Sequence, residues 1–164
     1  MNHQISLSLD LLENAASELR FRLTLNNRSD VRLLFPAPEI IGIRFRNMAT
    51  SEECEWYTSL FVSVSCGEFA LNVGESRHFD WRVRPCGVER PKDWSGDFNY
   101  YRWEVATPPG PYSVCYRWRM DENFFDGDSH CRLPDLQFAA EQQHAEVWLG
   151  EAVSNSIELV RNCA

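Results

Sequence analysis

Residues 120–131 read MDENFFDGDSHC and gather four carboxylates, a histidine and a cysteine in one short stretch. Carboxylates so placed could hold a calcium ion. An EF-hand loop needs oxygen ligands at its first, third and fifth positions and glycine at the sixth. Counted from Asp121, Asn123 fits the third, but Phe125 and Asp126 occupy the fifth and sixth, so the register fails. An irregular set of Asp121, Asp126 and Asp128, with His130 beside it, is the alternative that would make the loop a metal-dependent hydrolase site. Zinc would require His130 and Cys131 to converge with Cys115 or His144, yet adjacent residues of an extended chain point to opposite sides. No CxxC or CxxxC pair occurs, His130 and His144 read as polar surface histidines, and no metal or cofactor is expected.

Nucleophilic chemistry has less to work with. Cys115 shares a strand face with Arg117 and Arg119, which could lower its pKa, but no base is identifiable near it and a small buried side chain is the plainer reading. There is no G-x-S-x-G elbow, and the pair Glu52 and Glu53 sits in polar loop context. An enzyme is not expected.

Recognition is what the remaining residues suit. Phe124 and Phe125 lie among carboxylates, and Trp94 stands alone as an apolar residue in CGVERPKDWSGDFNY, residues 86–100. Such groups either fold back onto the body of the protein, the commoner outcome, or anchor a partner, since buried aromatics carry much of the energy of interfaces. Trp94, Phe124 and Phe125 are therefore the candidate partner-binding residues. The acidic rim around the two phenylalanines would favour a basic protein surface and would raise on-rate more than affinity. Trp94 with Tyr100 and Tyr101 could instead form stacking platforms for a sugar, which keeps a carbohydrate-binding module as a further alternative.

The elements that must position these residues alternate with period two. Ile5, Leu7, Leu9 and Leu11 share one face, as do Leu19, Phe21, Leu23 and Leu25, with Asn26 to Asp30 supplying turn chemistry between strands. Pro36 and Pro38 break VRLLFPAPEIIGIRFRN, after which Ile41, Ile43 and Phe45 resume alternation. Strands follow in YTSLFVSVS, FALNV and SRHFDWRVRP, the last with Phe79, Trp81 and Val83 inward. A strand, a Pro-Gly turn and a long strand with Tyr112, Val114, Tyr116 and Trp118 on one face are read from 100–120. Asp135 could cap a short helix with Leu136, Ala139, Ala140 and Gln143 on one side, and the last strand is interrupted at Ser154 to Ser156. Eight or nine short strands without strand-helix alternation, and two long loops at 86–100 and 121–146, predict an all-β, antiparallel β-sandwich in one domain spanning 1–164.

Composition agrees with sheets: 13% of the 164 residues are aromatic. The formal charge of −8 disfavours nucleic acid and anionic lipid as partners. Lys92 is the only lysine, so positive charge resides on arginines expected in cross-strand ladders beside Trp and Tyr. The start, MNHQISLSLDLLENAAS, lacks a basic region and a continuous apolar stretch and reads as mature protein; no apolar run is long enough to span a membrane, and a cytoplasmic location is expected. Six widely spaced cysteines are then expected as reduced thiols.

LTLNNRSDVRLLFP at 23–36, LNVGES at 71–76 followed by Trp81, and PPGPYSVCYRW at 108–118 resemble the intracellular proteinase inhibitor family of the Bacillus type, and VWLGEAVSNSIELV looks like the last strand of fibronectin type III-like modules. The resemblance implies an immunoglobulin-like sandwich. It rests on turn asparagines, a turn glycine and a corner tyrosine, so inhibition is carried by analogy. The function expected is a non-catalytic module that binds another protein, with a protease as the partner the resemblance suggests. The protein is expected as a monomer or an edge-strand homodimer.

Overall fold

The computed structural model describes residues 4–58, 67–86, 103–121 and 131–162. Strands dominate. In chain order they are β1 (Ile5–Asn14), β2 (Leu19–Asn27), β3 (Leu33–Pro36), β4 (Ile43–Asn47), β5 (Trp56–Thr58), β6 (Glu68–Leu71), β7 (Ser76–Cys86), β8 (Trp103–Ala106), β9 (Gly110–Met120), β10 (Glu146–Val147), β11 (Gly150–Val153) and β12 (Ile157–Arg161). A 3-10 turn occupies Ile40–Gly42, so Ile41 precedes the resumed strand instead of belonging to it. The helix α1 runs Leu133–Gln142 and buries Leu136 and Ala140. It starts earlier than expected: Arg132 is its N-cap, Pro134 sits in the first turn, where a missing N–H costs nothing, and Asp135 faces the helix dipole from within that turn. No helix of the described residues is long and apolar enough to cross a membrane.

One sheet has the order β1-β2-β7-β8-β5, a second has β9 flanked by β4 on one edge and by β11 and β12 on the other, and a third is β10-β3-β6. Alternation becomes burial directly in β2, where Leu19, Phe21, Leu23 and Leu25 are all fully buried. Tyr112, Val114, Tyr116 and Trp118 do the same on β9. The first two sheets pack through rings: Phe21 meets Phe45 edge-on at 5.8 Å, and Trp81 stacks on Tyr116 at 5.5 Å. Trp81 and Phe79 are only half-buried.

The all-β class holds, with twelve strands among the described residues against the eight or nine expected. The pairing is mixed, since β8 lies parallel to β7, with Arg84, Pro85 and Cys86 opposite Glu104, Val105 and Ala106, and β10 lies parallel to β3. Parallel neighbours need a crossover of about a dozen residues. The stretch 86–100, read from its turn composition as a loop, lies between β7 and β8 in the chain and, beyond Cys86, outside the described residues. YTSLFVSVS is described only at its start, in β5.

Arginines do enter cross-strand ladders, but beside acids and phenylalanines. Arg22 donates twice to the Asp80 carboxylate at 2.7 Å, and Arg77 lies over the Phe69 ring at 4.6 Å. The expectation of reduced thiols fails at Cys131, which is disulfide-bonded, while Cys54 and Cys115 are free thiols.

The Tyr112 hydroxyl donates to the Pro108 carbonyl four residues upstream at 2.5 Å, a tyrosine corner of the kind found in immunoglobulin-like sandwiches. Burial, with the Cys54 thiol nearby, pushes this phenol up to about 12, against the opposing pull of Arg161 and Asn47. An unfolded tyrosine titrates near about 10, so between these values the unfolded chain has released a proton that the folded one keeps. Stability should hold below pH ~10 and fall as pH rises towards about 12. Urea midpoints at pH 9 and 11 should show that fall, reduced in Tyr112→Phe; it is not abolished there, because burial raises Tyr116 as well. An undiminished fall in that variant would clear the Tyr112 phenol.

Candidate functional site

Trp94, Phe124, Phe125, Tyr100, Tyr101, Asp126, Asp128 and His130 lie outside the described residues. The strand ends that precede them in the chain are described. Ile5, Asn27 and Ser76 share one end of the first sheet, while Asn14, Leu19 and Val83 share the other, so β7 reaches Cys86 at the end opposite its start. Met120 pairs with Gly150, beside the groove that runs along Gln4 to Leu7, and so belongs to the Ile5 end. Cys86 and Met120, which precede these residues in the chain, therefore lie at opposite ends of the packed sheets.

Asp121 is the one described member of the acidic set. It follows β9 directly, and its carboxylate accepts from the Arg119 guanidinium at 2.5 Å. A carboxylate held that way is less available to a cation. Among the described residues no three His, Cys, Asp or Glu side chains are grouped as metal ligands. His144 is exposed, in the left-handed region (φ 51°) beyond the helix, as the surface reading has it.

The Cys54 and Cys115 thiols are not activated. Burial, assisted by Glu53, raises Cys115 despite the opposing Arg44 and Arg117 charges, and burial is likewise the main cause that brings Cys54 to about 11. Desolvation outweighs the arginines, and so the lowered pKa considered for Cys115 does not materialise.

What β4, β9 and β11 do bring together is an outward face of arginines. On β4 and β9 the register sets Arg44 opposite Cys115 and Arg46 opposite Ser113, and β11 sets Glu151 opposite Arg119. Each guanidinium has an oxygen partner: Arg117 bonds Glu151 at 2.7 Å, Arg44 lies 3.6 Å from Glu53, and Arg46 donates to the Ser51 carbonyl at 3.2 Å. Beside them a cleft of about 360 Å³ opens, walled by Glu39, Arg44, Arg117, Arg119 and Asp121 and floored at Gly42, Tyr116 and Trp118.

This cleft was missed by sequence reasoning, although its signal was present. The alternating arginines of IRFRN and YRWRM mark outward strand positions. Read singly, each arginine looks like a ladder partner; only the register groups them. No family model, no curated protein and no solved structure matches this chain.

Proposed function

We propose that the protein is a non-catalytic binding module that holds another protein against the arginine-walled cleft and the acidic loop beginning at Asp121. The observation that carries the reading is the set of ion pairs around the cleft, Arg117 with Glu151 and Arg119 with Asp121. Fixed charges of alternating sign around an aromatic floor offer a partner register and steering, which is how charge serves protein interfaces. The proteinase-inhibitor resemblance makes a protease the first partner to look for. It supports an immunoglobulin-like sandwich as well, and the Tyr112 corner fits that expectation.

The test is capture from the native host with quantitative mass spectrometry. Baits are the wild type, Arg117→Glu with Arg44→Glu, and Trp94→Ala with Phe124→Ala and Phe125→Ala, each first shown to melt cooperatively. A protein enriched by the wild type should be lost with the arginine variant, and with the aromatic variant if the loops contribute. Equal capture by wild type and both variants removes this surface as a binding site. Mass analysis of unreduced protein from the same host bears on location: an oxidised Cys131 places it in an oxidising compartment, a thiol in the cytoplasm.

A further inference from the structure

On the outward face of the second sheet β9 runs between β4 and β12, and the register sets their residues in rows. Met48 and Val160 flank Pro111: the Met48 N–H donates to the Pro111 carbonyl at 3.0 Å, and Val160 is the β12 partner of Pro111. All three side chains are exposed, Met48 at 52% and Val160 at 59%. In the next row along β9, Arg46 and Glu158 flank Ser113. Neighbouring strands lie about 4.8 Å apart, so the backbones of Arg46 and Glu158, two strands from each other, are separated by roughly 10 Å.

This end of the face differs from the other. Arg44, Arg117 and Arg119 each have an acid beside them, in Glu53, Glu151 and Asp121. Glu158 is exposed and has no partner among the described residues, and Arg46 donates only from its Nε, to the Ser51 carbonyl. Both terminal nitrogens of Arg46 are therefore open to a further acceptor. An exposed apolar row beside an unmatched arginine and an unmatched glutamate has the make-up of a small protein interface, apolar contacts bordered by charges.

We infer that a second copy of this chain covers the patch, the two sheets packed face to face about a two-fold axis that runs along β9 at Ser113. The argument is reciprocity. Such an axis exchanges the β4 side of one copy with the β12 side of the other and keeps positions along the strand, so Met48 meets Val160, Arg46 meets Glu158, and Pro111 meets its own copy. Each of the first two contacts then occurs twice, as an isologous interface requires. A different partner would have to carry the complementary pattern, which this chain already presents through its own register. Packed sheets cross at about 30°, so the two β9 strands diverge away from Ser113 and carry the two Arg117 apart. The contact joins sheet faces and uses no strand edge. It rests on no part of the cleft reading, since the cleft reaches the Asp121 end of β9 and this patch the Gly110 end. Two rows of side chains are few beside a standard interface, so the dimer is a weak one that forms at high concentration.

Sedimentation equilibrium reads the dimer, at about 150 mM salt so that the long-range repulsion between two chains of formal charge −8 is screened. The wild type should pass from monomer towards dimer as its concentration rises to about 1 mM. Arg46→Glu and Glu158→Arg, each alone, set like charges against each other at both reciprocal sites and should weaken the dimer about tenfold or more. Mixed in equal amounts, the two variants should associate with each other far better than either does with itself, because the Arg46→Glu chain then meets the Glu158→Arg chain with opposite charges at both sites. A dimer through any other surface has no reason to be rescued by mixing. Both changes are at exposed positions, and equal cooperative melts in dilute solution keep loss of fold out of the comparison. The inference is overturned if the wild type stays monomeric over this range, if either charge reversal leaves the dimer as tight as before, or if the mixture associates no better than its components.

Discussion

Asn27→Ala should lower the stability of the protein by about 3 kcal/mol, since each buried polar group left unpaired costs roughly 1–3 kcal/mol. Asn27 is fully buried at the end of β2, and its amide donates to the Val31 carbonyl at 2.8 Å and to the Leu71 carbonyl at 3.0 Å. Its oxygen accepts from the Ser29 N–H at 3.0 Å and from the Ser29 hydroxyl at 2.6 Å. One side chain thus closes the β2–β3 turn and ties it to β6. Alanine leaves the Leu71 carbonyl and the Ser29 N–H without these bonds. At about 2–4 °C per kcal/mol for a chain of this size, the melting temperature should drop by roughly 10 °C. Asn27→Asp should also destabilise, because a carboxylate would face two carbonyls; there the folded pKa is raised, so part of the loss should be recovered at pH below about 4, which alanine cannot do. A drop of only a degree or two in Asn27→Ala would mean that water takes over the bonds and that the turn is not held from within.

Gly42→Ala should have an effect of similar size for a steric reason. A Cβ at this position would lie 2.5 Å from Cζ, 2.6 Å from Cε2 and 2.7 Å from the hydroxyl oxygen of Tyr116. That ring cannot easily yield. It is stacked on Trp81 with an interplanar angle of 13°, and its hydroxyl donates to the Glu39 carbonyl at 3.0 Å. Overpacking costs about 1–3 kcal/mol, and losing the Glu39 bond adds about 1 kcal/mol more. The check is a double-mutant cycle by urea unfolding. Tyr116→Leu alone opens a cavity, so adding Gly42→Ala to it should cost less than adding it to the wild type, with a coupling of about 1 kcal/mol or more. Additive effects would show that the glycine is required for its backbone and not for the ring.

The elements legible in the sequence were those governed by period two with one face in the core. Leu19 to Leu25 and Tyr112 to Trp118 were read correctly because each inward position is a large apolar residue and each outward one is polar. The interruption at Ser154 to Ser156 was legible too, as a break between β11 and β12 along one partner strand. Not legible were relations between distant segments. Parallel pairing of β7 with β8 depends on the direction in which the chain returns at Trp103, which no local pattern encodes. The same limit applied to the candidate sites. The sequence shows that Asp121 is acidic and that Arg119 is nearby, but whether the carboxylate is taken by that arginine or left for a cation depends on side-chain geometry. For Cys115 the charges could be read and the burial that outweighs them could not.

The two clasps between segments remote in the sequence also bear on how the protein folds. Asn155 reaches Leu9 across 146 residues of sequence, and the Arg161 guanidinium donates to the carbonyls of Ala15 and Ala16 across 146 and 145. Contacts this remote repay their loop-closure entropy only late, which slows folding relative to chains rich in local contacts. During synthesis β1 and β2 emerge well before Asn155, so the Leu9 edge of β1 stays open until that residue follows. A nascent chain in that interval exposes an apolar strand edge, and this protein's yield should depend on chaperones and on elongation rate more than its finished architecture would suggest.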